Sequence, residues 1–220
     1  MSSQTSDGRA IRGEATRERL LAATRAVLLE RGFAQTSTRA VAERAGIRLS
    51  LVHYHFGGKQ QLLIEVLKHE NEQLLERQRE LYATPGPLAE KWRIACEFLD
   101  EDLRSGYVRV LWELWAAGLA DEQLAAGWRS AIGGWRTLLE TVAAAWVATL
   151  DTEPPLSPKG LATLVTNVFQ GIEVELLAGV GEADASHREV LDALGALIER
   201  WENPARPRLG KHPHNATGET

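Results

Sequence analysis

Residues 36–63 read TSTRAVAERAGIRLSLVHYHFGGKQQLL, and this stretch decides the fold of the N-terminal part of the chain. The hydroxyl side chains of residues 36–38 can cap a short helix. Gly46 stands where that helix must end, because glycine adopts the left-handed conformation of a helix stop without steric cost. A second short helix follows at about 49–55, and a longer one starts at Lys59. The pattern therefore predicts a helix-turn-helix.

The second short helix carries hydrogen-bonding side chains that suit the major groove of DNA. We expect these residues to face the base edges: Arg48, Ser50, Leu51, His53 and Tyr54. We expect Thr38, His55 and Lys59 to hold the DNA backbone, since free amides at a helix N-terminus and a nearby ammonium can meet one phosphate. His53 and His55 stand two apart rather than the four that a metal site on a helix needs, so no metal site is predicted.

The same stretch resembles the DNA-binding signature of the TetR family of transcriptional regulators. The matching segments are Arg19-Leu20-Leu21-Ala22-Ala23, Leu29-x-x-x-Phe33, Thr36-x-Thr38, Val41-Ala42-x-x-Ala45-Gly46, His53-x-x-Phe56 and Lys59-x-x-Leu62-Leu63. The family commonly has a tyrosine where this chain has His53, and often a lysine where it has Leu49. More weakly, residues 111–115 and 169–172 are similar to the BetI-type effector domain. The resemblance implies a homodimer that binds operator DNA and a small-molecule effector.

Helical periodicity continues along the chain and no segment alternates like a strand, which predicts an all-α fold of about nine helices. We expect the first of them at about Glu14–Arg31. The predicted domains are a disordered arm at 1–13, a helix-turn-helix head at 14–74, a ligand-binding and dimerisation body at 75–202 and a disordered tail at 203–220. The arm either stays loose or touches DNA.

The charge distribution favours DNA binding by the head although the net charge is −5. Residues 1–60 hold ten Lys/Arg and five Asp/Glu, whereas residues 61–220 hold fifteen and twenty-five. The positive excess coincides with the helix-turn-helix, as phosphate binding requires. Cys96 is the only cysteine, so an intramolecular disulfide is excluded and we expect Cys96 to pack as a small apolar residue. No signal peptide or membrane span is recognised, so a cytoplasmic protein is expected.

Catalytic motifs are missing from the sequence. There is no Gly-rich phosphate loop, nucleophile elbow or zinc-protease motif, so neither an enzyme nor a cofactor is predicted. His212 and His214 are interpreted as part of a solvated tail rather than as metal ligands.

All seven tryptophans follow residue 90. They either pack as core or line a cavity for a flat or cationic ligand, and the neighbouring carboxylates Glu113, Glu173 and Glu175 would suit a cation. We place a candidate effector pocket at these residues: Trp112, Glu113, Trp115, Trp128, Trp135, Asn167, Phe169 and Gln170. The alternative is that these side chains pack solidly.

The last two predicted helices carry apolar stripes wider than one neighbour needs, so two copies can pair as a four-helix bundle. The candidate interface is Leu161, Val165, Val168, Ile172, Leu191, Leu194, Ile198 and Trp201. Together these features are interpreted as a homodimeric regulator, a repressor that a small molecule releases from a palindromic operator. The alternatives are a helical DNA-binding or scaffold protein without small-molecule control and, from another class, a helical-bundle enzyme.

Overall fold

The computed structural model describes residues 3–204, with side chains from residue 11 onward. These residues form nine α-helices and no strand, which confirms the all-α prediction. The helices are α1 Ser3–Gln35, α2 Thr38–Ala45, α3 Leu49–Phe56, α4 Lys59–Ala83, α5 Leu88–Ser105, α6 Tyr107–Gly118, α7 Glu122–Val147, α8 Pro158–Leu177 and α9 His187–Glu202. None of the described helices is long and apolar enough to cross a membrane.

Helix α1 begins at Ser3, which corrects both the predicted start at Glu14 and the disordered arm over residues 3–13. No proline interrupts this segment, and a helix that is already nucleated by packed residues extends without paying the nucleation cost again. The helix bends at Gly32, where φ is 76°. Residues 1–2 and the tail from residue 205, with His212 and His214, lie outside the described residues.

Local signals set the angle between α2 and α3. The Ser37 hydroxyl accepts a hydrogen bond from the Ala40 N–H at 3.2 Å and so caps α2. Gly46 ends that helix with φ 63° and ψ 36°, the left-handed conformation that glycine tolerates. Val52 and Phe56 of α3 are buried and anchor the helix to the head. The helix-turn-helix predicted from residues 36–63 is therefore present.

One hydrophobic core runs from the head into the body. Leu20, Val41 and Leu63 of the head belong to the same buried cluster as Leu111 of α6 and Leu124 of α7. Helix α4 begins in the head and packs along α7. Because a close-packed core transmits displacement, a shift of α6 or α7 must act on the head.

A second core joins α5, α8 and α9. It contains Trp92, Cys96, Leu99, Phe169, Ile172 and Leu191. Cys96 is buried there, and its burial raises the pKa of the thiol to about 12. The thiolate is the reactive form of cysteine, so this thiol is structural, as its lone position in the sequence predicts.

Candidate nucleic-acid interface and body cavities

Helix α3 presents a polar face to solvent. Arg48, Ser50 and His53 are exposed, and the Tyr54 side chain is 80% exposed. Leu51 is half-buried at the edge of this face. An exposed polar helix held by a turn of defined geometry is the arrangement that enters a major groove. The base contacts proposed for these residues stay a prediction.

The expected backbone contacts lie around this helix. Thr38 is half-buried at the start of α2. The half-buried His55 ring lies against Tyr54, with 5.2 Å between ring centroids, and against Phe56, at 6.1 Å. Thr38 opens α2, so its hydroxyl lies beside free helix N-terminal amides, as a phosphate contact requires.

Lys59 is not a free surface lysine. Its ammonium donates a hydrogen bond to the Phe33 carbonyl at 2.9 Å and lies 4.2 Å from the centre of the Phe33 ring. Burial lowers the pKa of this lysine. In this conformation Lys59 holds the connection between α1 and α2, and a phosphate contact requires the ammonium to turn outward from Phe33.

Glu113 connects the body to the head through a hydrogen bond, and its place in the effector pocket stays a prediction. The Phe33 N–H donates to Glu113 Oε2 at 2.6 Å, and Arg109 donates to Oε1 at 2.9 Å. Phe33 is thus held through its N–H by α6 and through its carbonyl by Lys59 of α4. Sequence reasoning missed this link because Phe33 and Glu113 lie far apart along the chain.

Trp112 and Trp115 of α6 and Trp128 of α7 form an aromatic cluster. Ring centroids of Trp112 and Trp115 lie 5.3 Å apart, and Trp128 lies 6.3 and 6.4 Å from them. Trp115 is 38% exposed, and Asn167 is exposed on α8. Neither lines a described cavity. These indoles contact one another, and the ligand role expected of them stays a prediction.

The remaining predicted pocket residues, Trp135, Phe169 and Gln170, line a void of about 30 Å³ at the centre of the body. That volume holds about one water molecule. Among the described residues, the buried atoms Gln78 Oε1, Trp135 Nε1 and Gln170 Nε2 have no protein hydrogen-bond partner, and all three side chains line this void. The void is too small for a drug-sized effector, for which pockets measure about 300–1,000 Å³.

Glu173 also lines this void and is only 8% exposed. Burial, together with the nearby negative charge of Asp102, raises the pKa of its carboxyl to about 7, although the hydrogen bond from Trp112 opposes the rise. The Trp112 Nε1–H donates to Glu173 Oε2 at 2.9 Å. Glu173 thus bonds the N–H edge of the indole rather than lying over its face, where a cation would bind.

A much larger cavity lies elsewhere, between α8 and α9. It is a groove of about 730 Å³ whose floor comes from α5 and α7. Its lining includes several residues predicted to form the dimer interface: Leu161, Val165, Leu194, Ile198 and Trp201. We call this cavity the α8–α9 groove. Sequence periodicity alone does not distinguish a helix face that lines a groove from one that meets a second chain.

Two predicted interface residues are buried within the subunit itself. Ile172 is 6% exposed and Leu191 2% exposed, because both fill the second core. Val168 is half-buried and packs against that core. The outward apolar residues of these helices are Leu164, Val174, Leu177, Val190 and Leu197, each at least 40% exposed. Ile172 and Leu191 are thus not available to a second subunit, and the rest of the predicted interface stays a prediction.

Comparison with known proteins agrees with this geometry. Residues 20–66 match the family model of the bacterial regulatory proteins, tetR family. No curated protein sequence matches the chain. Among solved structures, a transcriptional regulator from Rhodococcus sp. Rha1 is similar at 24% identity and a TM-score of 0.66, over 84% of this chain and 96% of that one.

Two further structures share the fold. A putative transcriptional regulator from Saccharomonospora viridis, solved in complex with choline, has 18% identity and a TM-score of 0.66, over 84% of this chain and 96% of that one. NalD of Pseudomonas aeruginosa, the secondary repressor of a multidrug efflux pump, has 21% identity and a TM-score of 0.59, over 83% and 94%.

The helix-turn-helix head and the all-helical body define a DNA-binding transcriptional regulator, a class that acts by binding rather than by catalysis. Residues 20–66 match the DNA-binding head of the TetR family of bacterial regulatory proteins, and the described chain shares its fold with solved transcriptional regulators.

Proposed function

We propose that this protein is a homodimeric repressor that binds a palindromic operator and is released from it by a small molecule. The observation that carries the proposal is the exposed polar face of α3 on a head that shares its core with the body. The exposed face suits contact with DNA bases. Because of the shared core, a ligand that displaces helices of the body also displaces the head.

The proposed operator contacts are of two kinds, contacts to base edges and contacts to phosphates. Arg48, Ser50, Leu51, His53 and Tyr54 meet base edges, whereas Thr38, His55 and Lys59 hold phosphates. The positive excess of residues 1–60 supports this division. Base contacts carry sequence discrimination, while phosphate contacts add affinity for all sequences.

Dimerisation through the outward face of α8 and α9 would set two heads on one DNA face. Val174 and Leu177 on α8 and Val190 on α9 are 42–46% exposed. A two-fold pair of such heads spans half-sites separated by about 34 Å or a multiple of it, which matches a palindromic site.

Small-molecule control is supported by the choline complex of the Saccharomonospora viridis regulator, and repression by the role of NalD. A ligand shifts DNA binding only if it binds the two conformations with different affinity, and coupling of about 1–3 kcal/mol is typical. The competing proposal, a helical protein without small-molecule control, keeps the head but lacks this coupling.

The test is fluorescence anisotropy on DNA from upstream of the protein's own gene, with scrambled DNA of equal length as the control. We expect saturable binding to an inverted repeat, a steep salt dependence, and release on adding the effector. Equal affinity for both DNAs would contradict the proposal. Specific binding that no compound reverses, across a broad screen, would favour the protein without ligand control.

A further inference from the structure

The α8–α9 groove has the size and surface of a ligand site. Its volume of about 730 Å³ falls in the range of about 300–1,000 Å³ that small-molecule pockets occupy. Its floor is formed by well-buried side chains such as Trp92 (7% exposed) and Leu139 and Ala143 (8% each). The aromatic side chains of Tyr82, Trp146 and Trp201 also line it. A deep apolar floor with aromatic walls favours an apolar ligand.

Fixed hydrogen bonds hold one end of the groove in shape. Glu202 at the end of α9 accepts hydrogen bonds from the Leu88 N–H at 2.6 Å, the Ala89 N–H at 3.3 Å and the Trp146 Nε1–H at 3.2 Å. These bonds tie α9 to α5 and α7. They also place the Glu202 carboxylate at the N-terminus of α5, where the positive end of the helix dipole stabilises a negative charge.

Arg200 is the only charged side chain among the described residues that line the groove. It is exposed, and within residues 3–204 it has no hydrogen bond or ion pair. An apolar cavity with one unpaired cation at its rim is complementary to a molecule with an apolar body and one negative end. The acidic side chains of the adjacent loop, Asp151 and Glu153, do not line the groove.

The groove is separate from most of the surface available to a second subunit. The exposed residues Val174, Leu177 and Val190 do not line it, whereas Leu164 and Leu197 border both surfaces. A partner subunit can therefore cover the outward face of α8 and α9 while the groove keeps its own occupant.

We infer that the α8–α9 groove binds an apolar carboxylate, with its chain or ring on the tryptophan-lined floor and its carboxylate at Arg200. The regulatory meaning of this site rests on the proposed function, but the binding itself does not. Tyr82 lines the groove near the end of α4, the helix that begins at Lys59 in the head. An occupant that displaces Tyr82 therefore acts on the helix that reaches the DNA-binding surface.

The experiment titrates the full-length protein with sodium dodecanoate below its micellar concentration and follows binding by calorimetry and tryptophan fluorescence. There are three comparison probes. 1-Dodecanol has the same apolar chain without a charge, dodecyltrimethylammonium has that chain with a positive charge, and choline is a cation without the chain. We expect dodecanoate to bind with the highest affinity. Arg200→Gln should weaken dodecanoate about fivefold, as for an exposed ion pair, and leave dodecanol unchanged. Lys159→Gln, an exposed charge on α8, is the matched control and should change neither.

A second variant tests the position of the site. Ala143→Phe fills the floor of the groove and should abolish dodecanoate binding while circular dichroism and sedimentation stay as in the wild type. Dodecanoate binding that survives Ala143→Phe, equal affinity for the anionic, neutral and cationic probes, or tighter binding of choline would each overturn the inference. Conversion of Ala143→Phe to a monomer would also overturn it, because the groove would then hold a second subunit. Binding of the protein to operator DNA, measured by fluorescence anisotropy without any of these probes, tests the proposed function separately.

Discussion

At the scale of single residues, the carboxylates of the body have separate tasks. Glu113 holds the Phe33 N–H, Glu202 caps α5, and Glu173 lies beside the central void with Trp112 as its donor. Burial raises the pKa of Glu173 to about 7. This carboxyl keeps its proton in the folded state at pH values where the unfolded chain has released it.

Glu173 should make the protein less stable as the pH rises. Between pH 4.5, its ordinary pKa, and about 7, the folded state binds a proton that the unfolded state lacks. The free energy of unfolding therefore falls through this window and is lowest above it. Glu173→Gln keeps an acceptor for Trp112 and should remove the decline, gaining up to about 3 kcal/mol over the wild type at pH 8.

Urea unfolding of the wild type and of Glu173→Gln at pH 5 and pH 8 measures this effect. Glu189→Gln, which changes an exposed carboxylate on α9, is the control and should follow the wild type. An equal pH dependence in all three proteins would show that Glu173 ionises normally.

At the scale of elements, α3 is the helix proposed to read DNA, and α4 connects the head to the body. The exposed Arg48 stands at the N-cap of α3, whereas Lys59, the first residue of α4, is held by Phe33. These positions give different expectations for the two cations. A base contact discriminates between sequences by about 1–3 kcal/mol, whereas a phosphate contact does not discriminate.

Arg48→Ala should therefore reduce the difference in affinity between operator sequences. Lys59→Ala should weaken binding to all sequences, and the affinity should then depend less steeply on salt concentration. Anisotropy on operator DNA and on single-base variants, at several salt concentrations, measures both effects. Arg104→Ala, an exposed cation on α5, removes the same charge far from the head and should change neither. Operator binding that survives combined changes at His53, Tyr54 and Lys59 would contradict the assignment.

At the scale of the whole molecule, two apolar surfaces lie side by side on α8 and α9. The α8–α9 groove is concave and lined by Leu161 and Ile198, whereas the outward face carries Val174 and Val190. We assign the groove to a ligand and the outward face to the second subunit. A dimer interface needs a continuous apolar surface with few charges at its centre.

Val174→Glu should convert the dimer to monomers, because it places an unpaired charge in the centre of the proposed interface. Sedimentation velocity at micromolar concentration measures the change, and operator affinity should fall with it. Leu119→Glu, at a position 74% exposed after α6, is the matched control and should remain dimeric. A wild-type chain that sediments as a monomer would refute the dimer itself.

Local patterns in the sequence were sufficient to predict the helices and the helix-turn-helix head. Caps and stops such as Ser37, Gly46 and Asp121 act on neighbouring residues, so their effect is readable from the chain alone. The same is true of the helix-turn-helix, whose order and spacing lie within residues 36–63. The start of α1 was not readable, because residues 2–7 hold several side chains of the N-cap type and the sequence does not single out one of them.

Contacts between distant residues decided the cavities and the links between helices. Glu113 meets Phe33, and Ile172 and Leu191 meet in the second core, through the packing of helices that sequence periodicity does not orient. Periodicity shows that a helix has an apolar face, but only the tertiary packing decides whether that face fills a core, lines a groove or stays open for a second subunit. For that reason Trp112, Trp115 and Trp128 pack against one another, and the large cavity lies between α8 and α9.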